Sequence, residues 1–350
     1  MGAILFNSDV LKFDVTVGID QFSFQVKAGS PFCGIKNLPD GLHVIHISSS
    51  SNDDGDGIRY GYWFQDSRGL YMRYDEESGM YQMSREPDDA KYERMLQLGS
   101  HLMVSFPKLD EANWLELTRF ISYEQIETIL DARYPYVDSS MTAMEESRVL
   151  NKRLRIPNDS TCKHFKYTEI HFKSPDAIRP NHEMQDYMDK SHYLNHVIVA
   201  RDMRGHINRL LGELQFAFCN AMLFGNYGSS LQWHNIIELI SFSSKLSLTF
   251  VERFDKVLAL QLQTLPPEYT EALMNTEMWE RCLTKSYQSN KLELTKKAYE
   301  SKFDLEEENE EFESVARLET GTLPNIDSDY GDDIDENKPS VASGVYYVRP

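Results

Sequence analysis

The chain reads as an α+β protein: a β-rich, sandwich-like amino-terminal domain with a flanking helix, an all-α helical domain, and an acidic tail. Three observations predict this. Short segments within residues 1–107 alternate apolar and polar side chains, the period of half-buried strands. Leu210 to Phe224 is apolar nearly all round, broken only by Gly212, Glu213, Gln215 and Asn220, which marks a helix buried on most faces. Beyond Phe303 the composition turns abruptly acidic.

Phe13 to Val17 and Phe22 to Val26 alternate around Gly18-Ile19-Asp20, and Leu42 to Ile47 alternates the same way. Arg59 to Phe64 and Leu70 to Tyr74 are rich in the aromatics that strands favour. Turn chemistry separates them at Leu38-Pro39-Asp40-Gly41, Asp66-Ser67-Arg68-Gly69 and Ser78-Gly79. Several short strands so closely spaced predict a sandwich or small barrel. Ala112 to Leu130 reads as one amphipathic helix, and Thr142 with Glu145 as the capping box of another. The first domain is placed at 1–148.

Residues 149–166 follow as a basic linker. Lys152, Arg153, Arg155, Lys163 and Lys166 stand in it against Asp159 alone. A solvated connector is the plain reading; contact with RNA or an acidic surface is the alternative.

The pattern from 167 to 303 is helical. Met184 to Leu194, Leu246 to Leu262, Tyr269 to Met274, Met278 to Tyr287 and Leu292 to Tyr299 carry helical periodicity. The centre is a hairpin: the apolar run, a turn at Gly225-Asn226-Tyr227-Gly228, and a second helix opened by Ser229 and Gln232 as a capping box. Leu231, Trp233, Ile236, Ile237 and Ile240 are its apolar face.

The tail spans 304–350. Between Asp304 and Glu336 lie 14 acidic residues and one basic, Arg317, so most of the formal charge of -19 belongs to it. Such a segment buries too little apolar surface to fold alone. Its tip differs: Val345, Tyr346, Tyr347 and Val348 form a strand-forming stretch suited to addition at the edge of a partner's sheet. Folding back onto the chain's own amino-terminal sheet is the alternative.

The charge balance argues against broad nucleic-acid binding, which needs a basic face to displace counterions. Four cysteines, Cys33, Cys162, Cys219 and Cys282, form no CxxC pair. With no signal peptide or membrane-spanning run evident, a soluble protein of a reducing compartment is expected. No phosphate-binding glycine loop, nucleophile elbow or HExxH occurs. His43 with His46, and His192 with His196, lack a third ligand at metal spacing. Asn52 to Gly57 and Asp327 to Asp329 are superficially like calcium loops without the flanking helices or terminal Glu. Glu213 reads as a buried, structurally paired carboxylate. No catalytic residue, metal or cofactor is expected.

Serines are the positive chemical signal. Ser241, Ser243, Ser244 and Ser247 follow the hairpin, and Ser328 sits among acidic residues. A phosphate there adds about -1.5 to -2 charge, enough to disrupt a docking surface. Helix capping is the alternative.

Gly18-Ile19-Asp20, Phe32-Cys33-Gly34-Ile35-Lys36, Pro39-Asp40-Gly41-Leu42-His43 and Tyr60-Gly61-Tyr62-Trp63-Phe64 resemble the amino-terminal domain of the Aar-two splicing-factor family. Gly212-Glu213-Leu214-Gln215-Phe216-Ala217-Phe218 and Gly225 to His234 resemble its helical domain in the budding-yeast form, and Tyr346-Tyr347 with Arg349-Pro350 its tail. The resemblance implies a helical domain similar to VHS adaptor domains and an assembly factor of the U5 small nuclear ribonucleoprotein. It implies a partner, the spliceosomal scaffold Prp-eight, held through its RNase H-like and JAB/MPN-like domains. It implies exclusion of the Brr-two helicase in the cytoplasm and release by phosphorylation in the nucleus. A non-enzymatic chaperone is thus expected; an RNA-binding protein acting through the basic linker, or an unrecognised hydrolase, are the rivals.

Overall fold

Period-2 alternation in the first hundred residues has a simple physical outcome: two sheets share the apolar side chains between them. The computed structural model describes residues 2–6, 13–49, 58–107, 111–131, 135–143 and 164–303. One five-stranded sheet is ordered β8-β7-β1-β4-β9, with β1 Gly2–Phe6, β4 Gly34–Leu38, β7 Leu70–Asp75, β8 Met80–Arg85 and β9 Met103–Ser105. It is mixed, because β1 pairs parallel with β7, and β4 parallel with β9. The other is wholly antiparallel and ordered β10-β6-β5-β2-β3, with β2 Val15–Ile19, β3 Phe22–Val26, β5 His43–Ser49, β6 Arg59–Phe64 and β10 Tyr136–Asp138. Ile4, Ile35 and Met72 of the first sheet meet Val17, Ile45, Ile47 and Phe64 of the second in one core. The sandwich expected from the sequence is the structure.

The β2–β3 turn is tighter than the sequence suggested. Ile19 pairs with Phe22, so only Asp20 and Gln21 turn the chain, and Asp20 takes φ 56. Gly18 and Ile19 stay in the strand. A Cβ at Gly18 would fall 1.8 Å from the His46 ring, which is why that strand position holds glycine.

Alternation also decides how the second sheet meets the helices. Ile45 and Phe64 face the sandwich, while their neighbours Val44 and Trp63 face the other way into the helical core. Both faces of β5 and β6 are therefore buried against protein. Trp63 stacks on Trp114 with ring centroids 5.9 Å apart.

The flanking segment is two helices, not one: α2 Glu111–Leu117 and α3 Tyr123–Leu130, after α1 Asp89–Gly99. The break has a cause in the helical domain. The Gln215 side chain accepts the Phe120 N–H at 2.8 Å and donates to the Glu116 carbonyl at 2.8 Å, taking backbone groups a continuous helix would use. Ser122 then caps α3 by accepting the Gln125 N–H. Of the helix expected from Thr142 and Glu145, only the start lies within the described residues. Thr142 lies in β11 (Thr142–Ala143), which pairs with β12 (His164–Phe165), and its hydroxyl hydrogen-bonds His164 Nδ1 at 3.0 Å.

β12 belongs to the stretch expected as a linker, and Phe165 is fully buried, stacked 4.9 Å from Tyr167. That end of the stretch is core, not connector; Lys152, Arg153, Arg155 and Lys163 lie outside the described residues.

The helical part runs α4 Glu183–Met188, a π-helical segment Tyr193–Asp202, α5 Asn208–Phe224, α6 Tyr227–Ser241, α7 Leu248–Thr264, the single turn α8 Thr270–Leu273, α9 Thr276–Lys285 and a last helix, α10, over 293–303. Every residue of α5 from Leu210 on is buried. Gly225 ends it in the left-handed region at φ 64. The cap of α6 is Asn226, not Ser229: its side chain accepts the Ser229 N–H at 2.8 Å, and its amide donates to the Asp138 and Met141 carbonyls. Gln232 is thereby free for the buried network around Glu213. No helix among the described residues is long and apolar enough to cross a membrane.

Candidate functional site

The polar residues that interrupt α5 were the natural candidates for buried chemistry, and each is consumed by a tie to a distant segment. The Glu213 carboxylate accepts the Thr168 N–H at 2.8 Å, the Thr168 hydroxyl at 2.9 Å and the Gln232 amide at 2.8 Å. Burial pushes its pKa up against the pull of those bonds. Asn220 accepts from the Trp63 indole at 3.0 Å and donates to the Tyr167 hydroxyl at 3.4 Å. Gly212 has no side chain because the Phe120 carbonyl lies where one would go. These groups are buried and hold the body together.

The histidines are placed in the same way. His43 Nδ1 lies 2.7 Å from the Asp20 carboxylate, and its Nε2 lies 3.0 Å from the Pro39 carbonyl. His46 Nε2 lies 3.0 Å from the Asp20 carbonyl, and burial depresses its pKa to about 4. The His192 and His196 rings lie tilted to one another, 5.1 Å apart. Among the described residues no three His, Cys, Asp or Glu side chains converge as metal ligands. Cys33, Cys219 and Cys282 are buried and in no disulfide; Cys162 and the residues 52–57 lie outside the described residues.

The serine cluster is where local geometry and surface meet. Ser241 is fully buried, and Ser243 is buried with its hydroxyl donating to the Leu239 carbonyl at 2.7 Å. Gln288 holds this turn from beneath, donating its side-chain amide to the Ser243 carbonyl. Ser247 is exposed and caps α7 by accepting the Phe250 N–H. Ser244 is the half-buried member, and Asp189 grips it. The carboxylate accepts the Ser244 N–H at 3.0 Å and the Ser244 hydroxyl at 2.5 Å, together with the Ser191 N–H at 2.9 Å and hydroxyl at 2.6 Å. Burial works against the ionised carboxylate, yet the bonds from Ser191 and Ser244 outweigh it and hold Asp189 below the usual range.

This clasp ties the serine turn to α4. Lys190 donates its N–H to the Phe242 carbonyl and its ammonium to the Tyr187 carbonyl at 2.6 Å, closing the carboxyl end of α4. That ammonium lies 5.0 Å from the Tyr187 ring centroid and 5.6 Å from that of Phe172. Arg179 grips Asp186 with two guanidinium bonds, of 2.9 and 2.7 Å, and holds that carboxyl down to about 2. With its inner face so fixed, α4 presents Met184, Tyr187 and Met188 outward, 83%, 59% and 59% exposed. Exposed Met and aromatic side chains at i, i+3 and i+4 make an adaptable apolar face.

Sequence reasoning named the serines as candidates but not Asp189, Lys190 or the α4 face. Two signals were available: Asp189-Lys190-Ser191 is an Asx-turn sequence, and Met184, Tyr187 and Met188 repeat at helical spacing in a run too short to form a core face alone. Ser328, Val345, Tyr346, Tyr347 and Val348 lie outside the described residues.

Sandwich, buried central hairpin and clasped serine turn together define an α+β body whose buried polar groups Glu213, Gln215 and Asn220 join its parts. Residues 2–131 match the AAR2 N-terminal domain and residues 167–321 the AAR2 C-terminal repeat region. The chain is 41% identical to the A1 cistron-splicing factor AAR2 of Saccharomyces cerevisiae, over 96% of this chain and 97% of that protein. It is 25% identical to the human protein AAR2 homolog, over 72% of this chain and 73% of the relative. To the Caenorhabditis elegans homolog it is 24% identical, over 72% and 76%. The chain belongs to the AAR2 family.

Proposed function

We propose that this protein is a non-enzymatic pre-mRNA splicing factor that acts as an assembly chaperone of the U5 small nuclear ribonucleoprotein. The observation that carries this is the 41% identity, end to end, with a yeast protein named as a splicing factor. Its partner is Prp-eight, held at the RNase H-like and JAB/MPN-like domains. While bound it excludes the Brr-two helicase, and it works in cytoplasm and nucleus. Two contacts carry the binding: an exposed face of the helical part, for which Met184, Tyr187 and Met188 are suited, and strand addition by Val345 to Val348.

Release follows phosphorylation at the serine turn. Ser244 and Ser247 are its accessible members, since Ser241 and Ser243 are buried. A phosphate on Ser244 would set two or nearly two negative charges against the Asp189 carboxylate that now accepts its hydroxyl. The clasp opens, and α4 loses its anchor.

Calorimetric titration of the two Prp-eight domains tests this. The full chain is expected to bind and bridge both, a chain lacking residues 341–350 to lose the bridging, and Ser244→Glu to bind at least tenfold more weakly. Equal binding by all three would sink both the tail contact and the switch.

A further inference from the structure

Ser301 stands apart from the other hydroxyls of the helical part. It is exposed on the last turn of α10, and its side chain has no hydrogen-bond partner among the described residues. The sequence after it is acidic at the third position, Asp304, and again at Glu306, Glu307 and Glu308. A protein kinase with a basic substrate cleft recognises that pattern, because each carboxylate pairs with a cationic side chain beyond the acceptor hydroxyl.

Other described hydroxyls with an acid three residues on lack one of these features. Thr128 donates its hydroxyl to the Glu124 carbonyl at 2.8 Å, and Thr142 bonds His164 within a paired strand. Thr249 has its acid, Glu252, within α7 and is followed by Arg253 rather than more carboxylates.

The position of Ser301 gives the modification a consequence. α10 is fastened at its carboxyl end by the Lys302 ammonium on the Leu265 carbonyl and by Phe303, whose ring lies 4.3 Å from that of Tyr299. Tyr299 in turn stacks 6.2 Å from Trp279 of the core. A phosphate at Ser301 adds negative charge where the helix carbonyls already concentrate it. It also competes with the Leu265 carbonyl for Lys302, one residue away. Both effects unfasten the last turn of α10.

We propose that Ser301 is a phosphorylation site for an acidophilic kinase, and that its phosphate loosens the last turn of α10. The kinase transfers the γ-phosphoryl group of ATP: the bond from Ser301 Oγ to phosphorus forms, the bond to the β,γ-bridging oxygen breaks, ADP leaves, and the hydroxyl proton passes to the kinase's base. This is independent of Prp-eight binding and of the serine turn.

The test incubates the folded full chain with casein kinase two and magnesium ATP, maps sites by tandem mass spectrometry, and follows amide exchange over 297–303. Phosphate on Ser301, absent in Ser301→Ala, is expected, with exchange across the turn faster by about threefold. An unmodified Ser301 in the folded chain, while a peptide of residues 297–310 is modified, overturns the site. Modification with unchanged exchange overturns the loosening.

Discussion

The Trp63 indole N–H donates to the Asn220 side-chain oxygen at 3.0 Å, joining a strand of the sandwich to the central helix between residues 157 apart in sequence. Trp63 and Asn220 are both fully buried. Since the indole has one donor and no other way to satisfy it, the two halves matched by separate family models share one core.

Asn220→Ala is therefore expected to cost about 2 kcal/mol, the penalty for stranding a buried donor. Urea unfolding followed by tryptophan fluorescence measures it. A single transition that moves as a whole is expected; a sandwich melting separately at its original midpoint would show that the shared core is not cooperative.

Gly212→Ala pits helix propensity against contact. Alanine favours a helix interior by about 1 kcal/mol over glycine. Its Cβ, however, would stand 2.4 Å from the Phe120 carbonyl oxygen and 2.7 Å from Gln125 Oε1. A backbone carbonyl cannot swing aside, so a net loss of about 1–3 kcal/mol is expected. A thermal midpoint at or above wild type would mean that α2 and α3 shift to admit the methyl group.

His46 makes stability fall in mild acid. Burial depresses its folded pKa to about 4, against about 6.5 when unfolded, with Arg59 adding to the depression and the bond to the Asp20 carbonyl opposing it. The unfolded chain binds the proton first. The contribution is thus complete above pH of about 6.5 and is lost as pH falls toward 4, by about 3 kcal/mol in all. His46→Gln keeps an N–H donor but cannot titrate, so its stability profile should be flatter over that window. Parallel profiles for the two proteins would assign the acid sensitivity elsewhere.

Asp189→Ala removes the acceptor for four donors on Ser191 and Ser244. Those groups are partly solvent-reachable, so water replaces some of the loss, and about 1–2 kcal/mol is expected. The distinguishing readout is local: amides of Ser244 and Lys245 should exchange much faster, while those of α5 stay protected. Uniform loosening throughout the helical part would mean that Asp189 supports the whole body and not the turn alone.

Much of this architecture was legible from local pattern. Alternation located β2, β3 and β5, aromatic content located β6 and β7, and the apolar run located α5, because burial selects side chains at the period of the element. Errors fell where a distant partner overrode a local signal. Ala112 to Leu130 has one helical pattern, but Gln215 breaks it at Phe120. Ser229 and Gln232 look like a capping box, but Asn226 is placed to cap first, and Glu213 claims Gln232. The candidate site was half visible. The serines are a sequence feature, whereas Asp189 reaches Ser244 only because the chain folds 55 residues back on itself.

The sequence by itself determined the classes of element, the buried hairpin and the family, since each is written in periodicity, turn chemistry or residue identity along the chain. Only the tertiary structure decided what the polar interruptions of α5 are for. Gly212, Glu213, Gln215 and Asn220 look like flaws in an apolar run. They are the points where Phe120, Thr168, Glu116 and Trp63 attach. A buried polar group must find a partner, and which partner depends on what folding brings within about 3 Å of it.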